Sequence, residues 1–221
     1  MRRRITSSQV SVRTWPDLKH EERLWQARIA TVAGVDEAGV GPLAGPVVAG
    51  AVILPQGVTL PQVRDSKLLS AERREQLYAL ITERALATGV GLAPVEEIDR
   101  VNVYRATLLA MRRAVEVLAV RPQHLLVDGR GPSPVAEIEC TRLVGGDRIS
   151  LSVAAASILA KVTRDRIMRE YEERYPGYGF ARHKGYATAE HLAALRRLGA
   201  SPVHRISFAP VAAMRVLLPG L

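Results

Sequence analysis

Residues 31–54 read TVAGVDEAGVGPLAGPVVAGAVIL, and the fold follows from how this stretch is parsed. Thr31 to Val35 has the apolar, β-branched character of a strand and runs into two carboxylates, Asp36 and Glu37. Pro46 to Leu54 is a second β run, apolar enough to be covered on both faces. Between them, Gly39, Gly41, Pro42 and Gly45 exclude a helix and leave a turning connection. An apolar strand that stops at acids beside glycine is an informative pattern. It recurs further along the chain.

His124 to Val127 reads as a buried strand ending at Asp128, before Gly129. Ile138 to Val144 reads as another, closed by Gly145, Gly146 and Asp147, and Val90 to Ala93 as a short strand earlier in the chain. Ser70 is placed to cap a helix carrying Leu77, Leu80 and Ile81. Tyr104, Leu108, Met111, Val115 and Leu118 recur at alternating spacings of four and three, which predicts a helix buried along that face. A long helix is expected over Ser150 to Tyr175, its small apolar first half against the sheet and its charged second half in solvent. Thr188 caps a last clear helix through Leu198. Strands interleaved with helices make this an α/β chain, with no repeat and no linker that divides it.

Of 221 residues, 48% are hydrophobic and 24% charged, which excludes general disorder. The net charge of +9 favours a polyanionic partner, most simply nucleic acid. A single cysteine, Cys140, excludes an internal disulfide, and no Cys/His cluster resembles a zinc site. That usage fits a reducing, cytoplasmic setting. Met1 to Arg4 is basic but no apolar run follows, so a secretory signal is not expected. The uncharged stretch Ala38 to Val63 holds too many glycines and prolines for a membrane helix, so no membrane association is expected.

The chemistry lies in the strand ends. Asp36, Glu37, Asp128 and Asp147 would meet at one sheet edge if their strands were adjacent and suitably directed. Four carboxylates in a small volume repel, raising their pKa values unless cations occupy the site. Oxygen ligands without cysteine or histidine suit Mg²⁺ or Mn²⁺. Two such ions serve in-line phosphoryl displacement, and a basic protein would hold the nucleic acid whose phosphate they bridge. The bland alternative is that each aspartate only forms a turn. Asp36 and Glu37 are also awkward as neighbours, since adjacent strand residues face opposite ways unless the strand ends or bulges there. A phosphate-loop reading of Gly39 to Gly45 fails, because Pro42 and Pro46 spoil the helix start and no Lys-Ser/Thr pair follows.

Gly34 to Val48 resembles the signature of the type 2 ribonucleases H, the ribonuclease HII family. So do Asp65-Ser66-Lys67-Leu68, Val127-Asp128-Gly129, the run from Ala154 to Asp165, and Gly177 to Tyr186. The resemblance runs in order from about Val32 to Pro210. It implies a ribonuclease H-like fold: a five-stranded mixed sheet flanked by helices, with a helical C-terminal extension. The expected divisions are a basic segment over 1–30, partly disordered or helical, the catalytic domain over 31–210, and a tail over 211–221.

It further implies an endoribonuclease that hydrolyses the RNA strand of RNA–DNA hybrids and cuts 5′ of ribonucleotides embedded in duplex DNA. The implied mechanism is two-metal-ion hydrolysis leaving a 3′-hydroxyl and a 5′-phosphate. By motif position Asp36, Glu37, Asp128 and Asp147 match the catalytic metal-binding carboxylates. Tyr186 matches the tyrosine that supports the ribose at the RNA–DNA junction, where the 2′-hydroxyl alone marks RNA. Gly39, Val40 and Gly41 match the main-chain segment that approaches the 2′-hydroxyl, and Lys67 and Lys184 resemble backbone contacts. Ser157 and Lys161 face one side of the long helix, Ser157 as packing.

Two positions depart from the family pattern. Val40 stands where an arginine is usual, and Gly145 where a lysine is usual. Each loses a cation beside a phosphate, which implies weaker binding or a shifted substrate preference, with Arg148 and Arg130 as candidate replacements. The alternative reading is a non-catalytic or weakened hybrid-binding member of the same fold. A third is a DNA-only nuclease, against which Tyr186 speaks. A monomer is expected, and Val211 to Leu221 carries no defensible motif for a replication clamp.

Overall fold

The computed structural model describes residues 15–217. Arg2, Arg3, Arg4 and Arg13 of the basic segment lie outside the described residues, as does the end of the expected tail, 218–221.

In chain order the elements are α1 (Lys19–Gln26), β1 (Val32–Ala38), β2 (Val47–Ile53), a 3-10 turn (Ser66–Leu68), α2 (Ala71–Arg84), β3 (Ala87–Ala93), α3 (Val95–Val101) and α4 (Val103–Glu116). There follow β4 (His124–Asp128), β5 (Glu139–Leu143), a second 3-10 turn (Gly146–Arg148), α5 (Leu151–Arg174), α6 (Phe180–His183), α7 (Ala189–Leu198) and α8 (Ala209–Leu217). The five strands form one sheet in the order β3-β2-β1-β4-β5. Pairings β1–β2 and β2–β3 are antiparallel, while β1–β4 and β4–β5 are parallel. The mixed sheet flanked by helices is the architecture expected.

Two apolar layers sandwich the sheet. Val52 and Leu54 pack with α2 and α5 on one side, through Leu77, Ile81, Ala155 and Ile158. Ala33, Val35, Ala49 and Ala51 pack with α4 on the other, through Ala106, Ala110 and Ala114. α5 approaches the sheet closely because β1 presents Gly34 to it: a Cβ there would stand 2.1 Å from the Ser152 carbonyl carbon. The side chains of Ser70 and Thr188 accept hydrogen bonds from N–H groups at the starts of α2 and α7, as the sequence predicts, and Ser150 does the same for α5.

Three expectations need correction. The buried face of α4 is Ala106, Ala110, Met111, Ala114 and Val115, with Tyr104 exposed. The alanines win because Gly91 of β3 admits α4 so closely that a Cβ on it would stand 2.2 Å from the Ala110 carbonyl oxygen. The second half of α5 does not simply project into solvent, since Arg164, Asp165 and Met168 are buried. The segment expected as a tail begins inside α8, with Val211 fully buried against Leu43 and Leu195.

Helix α1, inside the basic segment, is built into the fold. Glu21 is buried, and one of its carboxylate oxygens accepts from Ser150 Oγ (2.7 Å), Ser152 N–H (3.0 Å) and Ser152 Oγ (2.6 Å). This pins α1 to the start of α5, next to the turn that holds Asp147. Among the described residues no helix is long and apolar enough to cross a membrane.

Candidate active site

β1, β4 and β5 run parallel, so their C-terminal ends share one edge. That is where ligands bind in sheets of this kind. The register explains how two adjacent residues of β1 both reach it. β1 pairs with β4 only as far as Val35 opposite Val127, but continues beside β2 to Ala38. The strand therefore does not end at Asp36; it loses one neighbour there, and Asp36 and Glu37 border the notch left where β4 turns away. Asp128 is the last residue of β4, and its Oδ1 accepts from Gly146 N–H (2.6 Å). That bond draws the turn carrying Asp147 back to the same edge. Gly145, in the left-handed region at φ 68°, starts the turn.

The carboxylates act on one another electrostatically. Burial pushes Asp36 well above the ordinary carboxylate range, and the charges of Glu37, Asp128 and Asp147 push it further. Burial and Asp128 raise Glu37, against the pull of Lys67 and Arg142. Burial, then Asp65 and Asp128, lift Asp147 to about 6. Asp65, which the sequence reading left inside a motif without a role, is thus part of the same field. Burial works against the Lys67 ammonium, yet Asp65, Asp147, Asp36 and Asp128 outweigh it and raise its pKa.

Among the described residues no three of His, Cys, Asp and Glu stand together as a ready-made ligand set. Two carboxylates are turned to main-chain donors instead: Asp36 Oδ1 accepts from Glu37 N–H (2.7 Å), as Asp128 accepts from Gly146. The donor chemistry nonetheless fits hard divalent cations. It is all oxygen, it is strongly anionic, and its raised pKa values show charge in need of a counter-ion.

Beside the carboxylates lies a cleft of about 540 Å³, lined by Glu37, Gly39, Val40, Gly41, Lys67 and Tyr186, with Arg74, Lys161, Arg164, Arg182 and Lys184 along its walls. The carried-over substrate positions are therefore brought together on one surface. Tyr186 is half exposed, its ring 3.8 Å from where a Cβ on Gly41 would stand. Lys184 also lines the cleft, but its ammonium donates to the Ala181 carbonyl (2.7 Å). Ser157 Oγ pairs with Ser66 Oγ at 2.9 Å, tying the Lys67 turn to α5. Lys161 Nζ donates to Asp165 Oδ1 (2.6 Å), and Arg74 joins the same carboxylate at 3.3 Å.

Two functional supports escaped the sequence reading. Arg205, fully buried, donates to the carbonyls of Gly39 (2.5 Å), Val40 (2.8 Å) and Gly45 (3.0 and 2.8 Å). Arg164 donates to Pro46, Lys184 and Ala44, each at 3.0 Å. Together they turn the carbonyls of the loop after β1 inward. Gly39 permits this at φ 95°, where a Cβ would also stand 2.0 Å from Arg164 Nε. A signal for Arg164 existed: Ala156, Ala160, Arg164 and Met168 follow one another at four-residue spacing and continue the buried stripe of α5.

The departure at Gly145 also has a structural answer. The Arg148 guanidinium lies over that glycine, 2.6 Å from where a Cβ would stand. Its charge partly offsets that of Asp147.

The model of one protein family, ribonuclease HII, matches residues 33–211. A ribonuclease HII of Geobacter sulfurreducens is 57% identical over 188 residues, covering 85% of this chain and 86% of the relative. One from Myxococcus xanthus is 56% identical over 195 residues, covering 88% of this chain and 66% of that longer protein. Among solved structures, the ribonuclease H2 of Pyrococcus horikoshii superposes with a TM-score of 0.73 at 26% identity, covering 85% of this chain and 98% of that one.

Proposed function

The chain belongs to the ribonuclease HII family, and from that premise we propose that it cuts the RNA strand of RNA–DNA hybrids and cleaves 5′ of single ribonucleotides embedded in duplex DNA, as a cytoplasmic monomer. The products would be a 3′-hydroxyl and a 5′-phosphate. The observation that carries the reading is the convergence of Asp36, Glu37, Asp128 and Asp147 on one sheet edge, where burial and mutual repulsion raise the pKa values of Asp36, Glu37 and Asp147.

These four residues would hold two divalent ions, Mg²⁺ or Mn²⁺. Bound there, the ions supply Lewis-acid activation of water and charge neutralisation at a phosphodiester. The rest is the work of the protein. Lys67, held beside the carboxylates, balances part of their charge and faces the incoming backbone. Arg148 and Arg182 give the strand electrostatic grip. Arg164 and Arg205 engage carbonyls of the loop from Gly39 to Pro46, and the Leu43 and Gly45 N–H groups donate to Gly185 and Val203, so the N–H groups offered to the nucleic acid would be those of Gly39, Val40 and Gly41. Tyr186, against Gly41, closes the pocket where a 2′-hydroxyl distinguishes ribose from deoxyribose. Arg148 over Gly145 supports turnover over the non-catalytic alternative, since it returns one of the two missing cations.

The test is incubation with a DNA duplex carrying one ribonucleotide and, separately, with an RNA–DNA hybrid. Cutting of both that needs Mg²⁺ or Mn²⁺ and disappears in Asp36→Asn is expected. Binding without cutting at any metal concentration, or cutting of all-DNA duplex, would overturn it.

A further inference from the structure

Beneath Tyr186 lies a chain of buried rings that the chemistry above does not use. His191 and His204 are both buried, and their Nε2 atoms are 3.0 Å apart. His191 Nδ1 lies 2.9 Å from the Tyr186 carbonyl oxygen. At the far end His204 Nδ1 faces Ser201 N–H at 2.9 Å and Ser201 Oγ at 2.8 Å.

One proton arrangement satisfies every member. The Tyr186 carbonyl can only accept, so His191 carries its hydrogen on Nδ1. A neutral His191 then accepts at Nε2, so His204 must donate from its own Nε2. That leaves His204 Nδ1 as the acceptor the Ser201 N–H requires. Any further proton sets two N–H groups face to face, either between the rings or against Ser201.

We propose that His191 and His204 are positioning residues for Tyr186: the neutral pair fixes the tyrosine's main chain, and so the depth at which its ring meets the ribose. This deepens the ribonuclease reading and rests on it, through the role given to Tyr186. Burial lowers His191 against the opposing pull of the Tyr186 carbonyl, and burial with His191 beside it pulls His204 down to about 4. The titratable groups facing the pair are His183, stacked on His191 at 4.4 Å, and Tyr178, 5.0 Å from His204; Phe180 fills the remaining side. No carboxylate among them offsets an imidazolium. His183 is itself engaged, with Nε2 2.7 Å from the Tyr178 carbonyl oxygen and Nδ1 accepting from Gly185 N–H. The segment bearing Tyr186 is thus tied from below by His183 and His191, with His204 acting through His191.

The experiment compares His191→Phe, which keeps a planar ring and loses both bonds, with His191→Asn, which keeps a donor near the Tyr186 carbonyl. KM and kcat are measured in Mg²⁺ on a duplex with one ribonucleotide, and Kd for that duplex against its all-DNA counterpart. Loss of one buried hydrogen bond predicts that His191→Phe raises KM and narrows the ribonucleotide preference by about tenfold, with kcat little changed. His191→Asn should recover most of that loss. Equal effects from both variants, or a fall in kcat alone, would overturn the proposal. A Tyr186→Ala control separates the two ideas: preference unchanged in Tyr186→Ala defeats the ribose reading, whereas preference lost there but retained in His191→Phe defeats the positioning role alone. Should His191→Phe fail to fold, nitrogen-15 spectra of the unaltered protein still decide. His191 must be the Nδ1–H tautomer and His204 the Nε2–H tautomer at neutral pH, and any other pattern contradicts the chain.

Discussion

The molecule buries charge in two ways, a few residues apart along the same loop. At the end of β1, Asp36, Glu37, Asp128 and Asp147 are gathered with too few cations, and repulsion is the result. On the other side of the Gly39–Pro46 loop, Arg164 and Arg205 are buried as deeply, yet every carbonyl they meet accepts a hydrogen bond. Burial pulls Arg205 down to about 9 and Arg164 to about 10, which leaves both charged at neutral pH. A buried charge that is satisfied holds structure; one that is frustrated waits for a ligand. The arginines fix the loop so that the carboxylates can remain strained beside it.

Substitution should split the two groups most sharply. Asp147→Asn is expected to lower cleavage by about a thousandfold or more, because the reacting centre acts as a unit. Its stability should move the other way. The folded carboxyl, at about 6, sits above its unfolded value of 3.8, so the stabilising protonated form is lost as pH rises through 6. Asp147→Asn should therefore be more stable than the parent at pH 7 without divalent metal, by about 1 kcal/mol, since water at the edge screens much of the effect. Arg205→Leu should do the reverse, costing about 4 kcal/mol in denaturant unfolding by orphaning the carbonyls of Gly39, Val40 and Gly45. If both substitutions destabilised equally, the distinction between satisfied and frustrated charge would be lost.

Acid sharpens the same contrast. His204, at about 4 in the fold against 6.5 unfolded, contributes stability that is complete above pH 6.5 and declines as pH falls towards 4, by about 3 kcal/mol at most. The carboxylate edge gains over part of that window. His204→Gln should flatten the decline between pH 6.5 and 4 in thermal melts, and an unchanged slope would remove His204 from the account. The smallest effect is reserved for Arg148→Ala. It should weaken duplex binding modestly and reduce the slope of log Kd against log salt by about one, as for one lost phosphate contact.

What the sequence made legible follows from where information is local. Three of the five strands announced themselves because their apolar runs lead to a carboxylate beside glycine, and Asp36, Asp128 and Asp147 were found for that reason. Ser70 and Thr188 were legible as caps because a cap acts on a residue three positions away. Arg205 was not, since its partners lie 160 or more residues earlier in the chain. Glu21 was hidden in a basic segment for the same reason, with its hydroxyl partners at Ser150 and Ser152. The buried face of α4 was misplaced because large apolar residues outweighed alanines in the pattern. Only the glycine across the interface, on a different strand, reverses that ranking. The short helices α3 and α6 give little periodicity to read.

The account turns on whether the strained edge takes up divalent ions. Mn²⁺ titrated into chelator-treated protein, followed by paramagnetic broadening of backbone amide signals, tests this directly. Broadening should centre on Asp36 to Val40, Asp128 to Gly129 and Gly146 to Arg148, and should vanish at the same Mn²⁺ concentrations in Asp36→Asn. Broadening centred elsewhere, or a variant that binds Mn²⁺ as the parent does, would contradict it.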